Sequence, residues 1–86
     1  MKILIGKCGV DSGLITIIDP CYVDEEFDWG VFCELTYKRM SKEHPWMEWN
    51  NGVVVKGFGG DGEYPVYAEV NSEGRVESIT IEFRER

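Results

Sequence analysis

Four glycines and an aspartate fall within the six residues Gly57-Phe58-Gly59-Gly60-Asp61-Gly62, and this is the strongest local constraint on the chain. Glycine reaches positive φ without a Cβ clash, so this density permits a tight, open backbone whose N–H groups can face a ligand. Tyr64-Pro65-Val66-Tyr67 follows at once and leads into a strand. No catalytic signature accompanies the segment. The residues speak to fold class more than to chemistry.

Eighty-six residues suffice for one domain with a single small core. The 43% hydrophobic content is that of a globular chain, and the 13% aromatic content supplies large rings to bury. Net charge is −7, and the lysines and arginines are scattered apart from a short group at Lys38, Arg39 and Lys42. A chain that grips a nucleic-acid backbone carries a basic patch to release counterions, so duplex DNA or RNA is excluded as a partner. A small anion is compatible with the charge, because glycine-loop amides provide local positive potential. Lys2-Ile3-Leu4-Ile5-Gly6 is too short for a secretory apolar region, and no apolar run approaches the ~18 residues of a membrane span. With Cys8, Cys21 and Cys33 an odd set, the expectation is a cytoplasmic protein with reduced thiols and no membrane association.

Residues 2–8 form a β-branched run ending at Gly9, read as a strand, and Val10-Asp11-Ser12-Gly13 is turn chemistry. Leu14-Ile15-Thr16-Ile17-Ile18 is apolar on both sides except at Thr16, which predicts a central strand covered on both faces. Asp19-Pro20 stops it. Asp28 is placed to cap a helix from about Trp29, with Phe32 and Leu35 on its inner stripe, Lys38 and Arg39 near its end, and Pro45 terminating it. Trp46-Met47-Glu48-Trp49 and Val53-Val54-Val55-Lys56 read as a hairpin whose tip is Asn51-Gly52. Residues 64–70 and 75–83 flank Asn71-Ser72-Glu73-Gly74, the clearest hairpin of the chain. Val66, Ala68 and Val70 in its first arm, and Ile79, Ile81 and Phe83 in its second, predict one dry face. The predicted fold is α+β and β-rich: a mainly antiparallel sheet of five to six strands, single-layered, with one helix inserted after the second strand.

The glycine segment is not a Walker loop, since no Gly-Lys-Ser/Thr follows, and it does not fit a dinucleotide fingerprint. It can cradle an anion, or simply connect two strands with Asp61-Gly62 making the turn. Asp19 can accept a ligand hydrogen bond, or bond the backbone beyond Pro20. An acidic neighbour disfavours the Cys21 thiolate, and His44 sits between Glu43 and Pro45 with no motif linking it to Cys21. The cysteines lack the close spacing of zinc knuckles, and the aspartates do not form an EF-hand loop. Tyr22, Trp46, Trp49, Phe58, Tyr64 and Tyr67 are divided between core packing and an outward stacking surface, with Tyr67 the first expected to escape burial.

Taken in order, several motifs form a pattern: Ser12-Gly13, a strand into Asp19-Pro20-Cys21-Tyr22, Gly60-Asp61-Gly62-Glu63-Tyr64-Pro65-Val66-Tyr67, Gly74-Arg75-Val76 and a final Ile81-Glu82-Phe83. This pattern resembles small uncharacterised proteins of bacteria and their phages, and the C-terminal half of a larger uncharacterised bacterial domain family. It covers both ends of the chain and not residues 24–51. The resemblance implies an intracellular, phage or mobile-element origin and no established activity. The expected function is non-enzymatic binding of a small anionic ligand, with no cofactor or metal. In this expectation the amides of Gly59, Gly60, Asp61 and Gly62 hold the anionic group, Tyr22, Tyr64 and Tyr67 stack a base, and Asp19 bonds a ribose or base. A nucleotide signal sequestered from host defence is the form the resemblance suggests. The alternative is a protein-interaction module that docks a basic host protein through Trp46 and Trp49, or self-associates as a homo-oligomer. A hydrolase or thiol enzyme ranks third.

Overall fold

The computed structural model describes residues 1–23 and 27–83; the acidic stretch at 24–26 and the charged tail at 84–86 lie outside them. The chain divides into two compact units, one formed by Met1–Ser12 with Gly59–Arg86 and the other by Gly13–Phe58. Each has its own three-stranded antiparallel sheet, so the expected β-rich, antiparallel character with one helix holds. The expected single sheet does not. The chain leaves one unit at Ser12–Gly13 and returns at Phe58–Gly59, and Gly13 and Gly59 hold φ of 73° and 116° at these crossings. The first strand consequently pairs far along the chain, with Lys2 opposite Glu69, instead of with its sequence neighbour.

The contiguous unit contains β2 (Ile15–Ile17), a 3-10 turn (Pro20–Tyr22), α1 (Trp29–Arg39), β3 (Trp46–Trp49) and β4 (Gly52–Val55). Its sheet order is β2-β4-β3. The helix starts where the sequence places it: the Asp28 carboxylate accepts from the Val31 N–H at 3.1 Å and satisfies one orphan donor of the first turn. Phe27 precedes this cap and packs on Phe32 with ring centroids 5.4 Å apart, the hydrophobic-staple arrangement that fixes the chain's approach to the helix. The helix ends at Arg39 with Met40 as cap, earlier than Pro45. A Ser41–His44 turn, in which each backbone N–H donates to the other's carbonyl, intervenes before Pro45. The core is Phe32, Met40, Met47 and Val54, with Leu14, Leu35 and Trp49 packed around it. The Phe32/Leu35 stripe therefore covers a sheet face, as expected.

Two expectations in this unit are corrected. The strand at 14–18 is only three residues long and lies at an edge, and Ile17 is 45% exposed, so it is not a central strand covered on both faces. An apolar run cannot report how many neighbours it has, and here β2 has one partner, β4. The β3–β4 tip is Asn50-Asn51, with φ of 50° and 63°, and Trp49 pairs with Gly52 inside the ladder. Asparagine tolerates both left-handed positions of the turn, which releases the glycine for another task. A Cβ on Gly52 would run into the Ile17 carbonyl oxygen and meet the Ile18 Cβ at 3.1 Å. Gly52 permits close backbone approach between β4 and the end of β2.

The other unit contains β1 (Lys2–Val10), β5 (Gly62–Val70) and β6 (Val76–Ile81) in the order β1-β5-β6. The β5–β6 loop is the one predicted. Asn71 Oδ1 accepts from the N–H groups of Glu73 and Arg75 at 2.9 and 3.1 Å, and Gly74 holds φ 79°. Ile3, Ala68 and Ile79 occupy one row across the three strands. Ala68 is buried, but Ile79 is 53% exposed, so the dry face predicted for the second arm is not dry at its middle. Alternation places side chains on one face without stating what covers that face.

Candidate functional site

The predicted site residues fall into two groups, one in each unit. Asp19 and Tyr22 belong to the contiguous unit. Asp19 Oδ1 accepts from the Cys21 N–H at 2.9 Å and caps the 3-10 turn, while its carbonyl accepts from the Tyr22 N–H. This is the backbone-bonding role of an aspartate before proline. The Tyr22 carbonyl in turn accepts from Asn50 Nδ2 at 2.7 Å, which ties the turn to the β3–β4 tip, and the Tyr22 ring is exposed.

Gly59, Gly60, Asp61, Gly62, Tyr64 and Tyr67 belong to the other unit. Gly59 and Gly60 are consecutive left-handed positions, with φ of 116° and 85°. The Tyr64 hydroxyl donates to the Gly60 carbonyl at 2.8 Å, and its ring meets Phe83 edge-on with centroids 5.3 Å apart. Tyr64 thus closes the loop onto the first residues of β5. Tyr67, expected to be the first of these rings to escape burial, is instead half-buried, with Lys2 Nζ 4.8 Å from its ring centroid in a cation–π contact, while Tyr22 and Trp46 are the exposed rings. The three tyrosines are therefore in unlike settings: one exposed, one tethered, one beneath a lysine.

Chemically reactive groups are sparse. Cys21 is exposed, and Cys8 and Cys33 are half-buried; none forms a disulfide. The His44 ring lies on Trp46 with centroids 4.7 Å apart. Among the described residues no group of three His, Cys, Asp or Glu is arranged to hold a metal ion, and no helix is long and apolar enough to cross a membrane.

The feature that sequence reasoning missed lies at the N-terminus of α1. Phe27, Trp29, Phe32 and Trp49 form a continuous ring cluster. Trp29 stacks on Phe32 at 5.6 Å with a 24° interplanar angle, Trp49 meets Phe32 edge-on at 4.8 Å, and Phe27 contacts all three others. Phe32 is 4% exposed, whereas Phe27 and Trp29 are 42% and 52% exposed. The buried half anchors the solvent-facing half, so the outer rings are held in fixed orientations at little further entropic cost. Val23 and Val31 are exposed as well. The signal was an aromatic on each side of the Asp28 cap. Trp46 and Trp49, which the residues left open between core and surface and which the interaction alternative used together, separate: Trp46 is exposed and Trp49 packs against the core.

No protein-family model, curated protein or solved structure matches the chain.

Proposed function

We propose that this protein is a non-enzymatic binding module that docks another protein through the Phe27–Trp29 ring face. The observation that carries the reading is the pair of half-exposed rings braced by a buried Phe32 and by Trp49. Binding hot spots are rigid aromatic anchors that desolvate fully on contact, and a braced tryptophan costs little to order. The −7 net charge favours a partner of opposite sign. Its recognition element would pair an apolar anchor for the Phe27–Trp29 surface with lysine or arginine beside it, an arginine stacking on Trp29.

A peptide-display selection on the wild-type protein tests this. Enriched peptides are expected to carry one bulky apolar residue and net positive charge, and to lose about tenfold or more in affinity to Phe27→Ala and Trp29→Ala. Enriched peptides that bind both variants as tightly as the wild type would place the surface elsewhere.

The small-anion reading of the glycine segment is a second proposal, supported by the two consecutive left-handed glycines. Nucleotides at about a hundred times their dissociation constant would stabilise the protein by about 2.7 kcal/mol, readable as a raised melting temperature. A panel of linear and cyclic nucleotides at millimolar concentration that leaves the melting temperature unmoved ends that reading.

A further inference from the structure

The chain has three asparagines, Asn50, Asn51 and Asn71, and the fold treats their side chains differently. Asn71 Oδ1 accepts from the N–H groups of Glu73 and Arg75 at 2.9 and 3.1 Å, and its Nδ2 donates to Glu77 at 3.3 Å. Asn50 Nδ2 donates to the Tyr22 carbonyl at 2.7 Å. Asn51 is exposed at the β3–β4 tip, and no described residue bonds its side-chain amide. It alone of the three is followed by glycine. Gly52 answers to Ile17, whose carbonyl oxygen a Cβ at this position would strike. The same missing Cβ leaves the Gly52 nitrogen open to approach from its neighbour's side chain.

The folded tip restrains that approach. The Lys56 N–H donates to the Pro45 carbonyl at 2.9 Å, at the other end of the β3–β4 ladder. Antiparallel bonding alternates, so the pairs Met47–Val54 and Trp49–Gly52 also turn their backbone groups to each other. The Gly52 N–H therefore points at the Trp49 carbonyl, and its nitrogen reaches the Asn51 Cγ only when this last pair opens. Met47 and Val54, the next bonded pair, belong to the core, so the opening stops there.

We infer that Asn51 is a site of spontaneous deamidation, admitted by fraying of the Trp49–Gly52 pair and delayed by the Asn50–Tyr22 bond. The Gly52 nitrogen attacks the Asn51 Cγ, and the new C–N bond closes a five-membered succinimide. The side-chain nitrogen leaves as ammonia, taking up through solvent the proton that the Gly52 amide gives up. Water then opens either ring carbonyl, which leaves an aspartyl or an isoaspartyl residue and one added negative charge. Asp61 also precedes a glycine, but a carboxylate is a poor leaving group and its isomerisation adds no charge. The isoaspartyl product inserts a backbone methylene into a two-residue loop, beside a glycine with no room to shift against Ile17. The aspartyl product keeps the loop length, and aspartate tolerates the left-handed φ of 63°.

Incubation in mildly alkaline buffer, followed by ion exchange and mass-spectrometric peptide mapping, tests the inference against a free peptide of residues 47–54. A species with one added negative charge is expected, changed at Asn51 and intact at Asn50 and Asn71. The folded protein should react about tenfold more slowly than the peptide, and urea should abolish the difference. Asn50→Gly keeps a residue suited to the left-handed turn and removes the bond to Tyr22. It should speed the folded-state reaction about threefold and leave the rate in urea unchanged. The isoaspartyl species should melt below the unmodified protein, whereas the Asn51→Asp variant should melt where the unmodified protein does. No reaction at Asn51 over about a hundred half-lives of the peptide overturns the inference. So does a folded rate equal to the peptide's, or a charge gain that maps first to Asn71.

Discussion

Replacing Phe32 with alanine is expected to cost about 3–5 kcal/mol, the range for deleting a buried aromatic from a core. The chain's whole stability should lie between about 4 and 13 kcal/mol, so this one change removes a large share of it. The size of the effect follows from Phe32's double role. It is a core residue beside Met40, Met47 and Val54, and it is also the ring against which Phe27, Trp29 and Trp49 pack. Its loss opens a cavity that neighbours held by the helix and sheet cannot fully collapse into. Urea titration followed by tryptophan fluorescence reads the change, since Trp29 and Trp49 both touch the site. Tyr37→Ala, on the outer face of α1, should stay within about 0.5 kcal/mol of wild type in the same assay. A Phe32→Ala cost below about 1 kcal/mol would mean that the cluster is not the unit's core.

Gly52→Ala should lower stability by about 2–4 kcal/mol, although it adds only a methyl group. At a strand position without positive φ, glycine-to-alanine exchange ordinarily stabilises by restricting the unfolded chain. Here the new Cβ meets the Ile17 carbonyl oxygen, which is backbone and cannot swing away as a side-chain tip could. Relief requires β2 and β4 to separate, which loosens the Ile17–Val53 pairing as well. Each kcal/mol lost lowers the melting temperature of a domain this size by roughly 4–8 °C. Gly6→Ala is the matched control, because a Cβ there meets nothing within 4 Å. Equal melting temperatures for the two variants would show that the β2–β4 approach is not tight.

What could be read from the residues divides along a physical line. Local signals were legible: Asp28 as a cap, the 3.6-residue spacing of Phe32 and Leu35, and the Asn71 loop each depend on a few neighbouring residues. The bond from Asp19 to the backbone beyond Pro20 was one of two readings its neighbours offered, and the expectation favoured a ligand contact instead. Pairing between distant strands was not legible, because an apolar strand pattern is the same whichever partner it meets. That is why a single sheet was expected where β1 finds β5 and β2 finds β4. The Asn51-Gly52 pair misled for a subtler reason. Two asparagines could themselves take the left-handed turn, and the glycine answered a steric demand from Ile17, a residue remote in sequence. Phe27 and Trp29 were passed over because an aromatic beside a helix cap reads as packing; only the fold shows that half of each ring remains outside.

The discontinuity of one unit bears on the order in which the molecule can be made. Gly13–Phe58 is an uninterrupted stretch and can organise as soon as it leaves the ribosome. Ile3, Leu4 and Ile5 must wait, since their strand has no ladder until Ala68 and its neighbours have been synthesised. During that interval a β-branched leading strand is solvent-exposed on a nascent chain, and closing so long a loop is slow. Lys2 and Lys7, which punctuate this strand, supply repulsion between nascent chains during the delay.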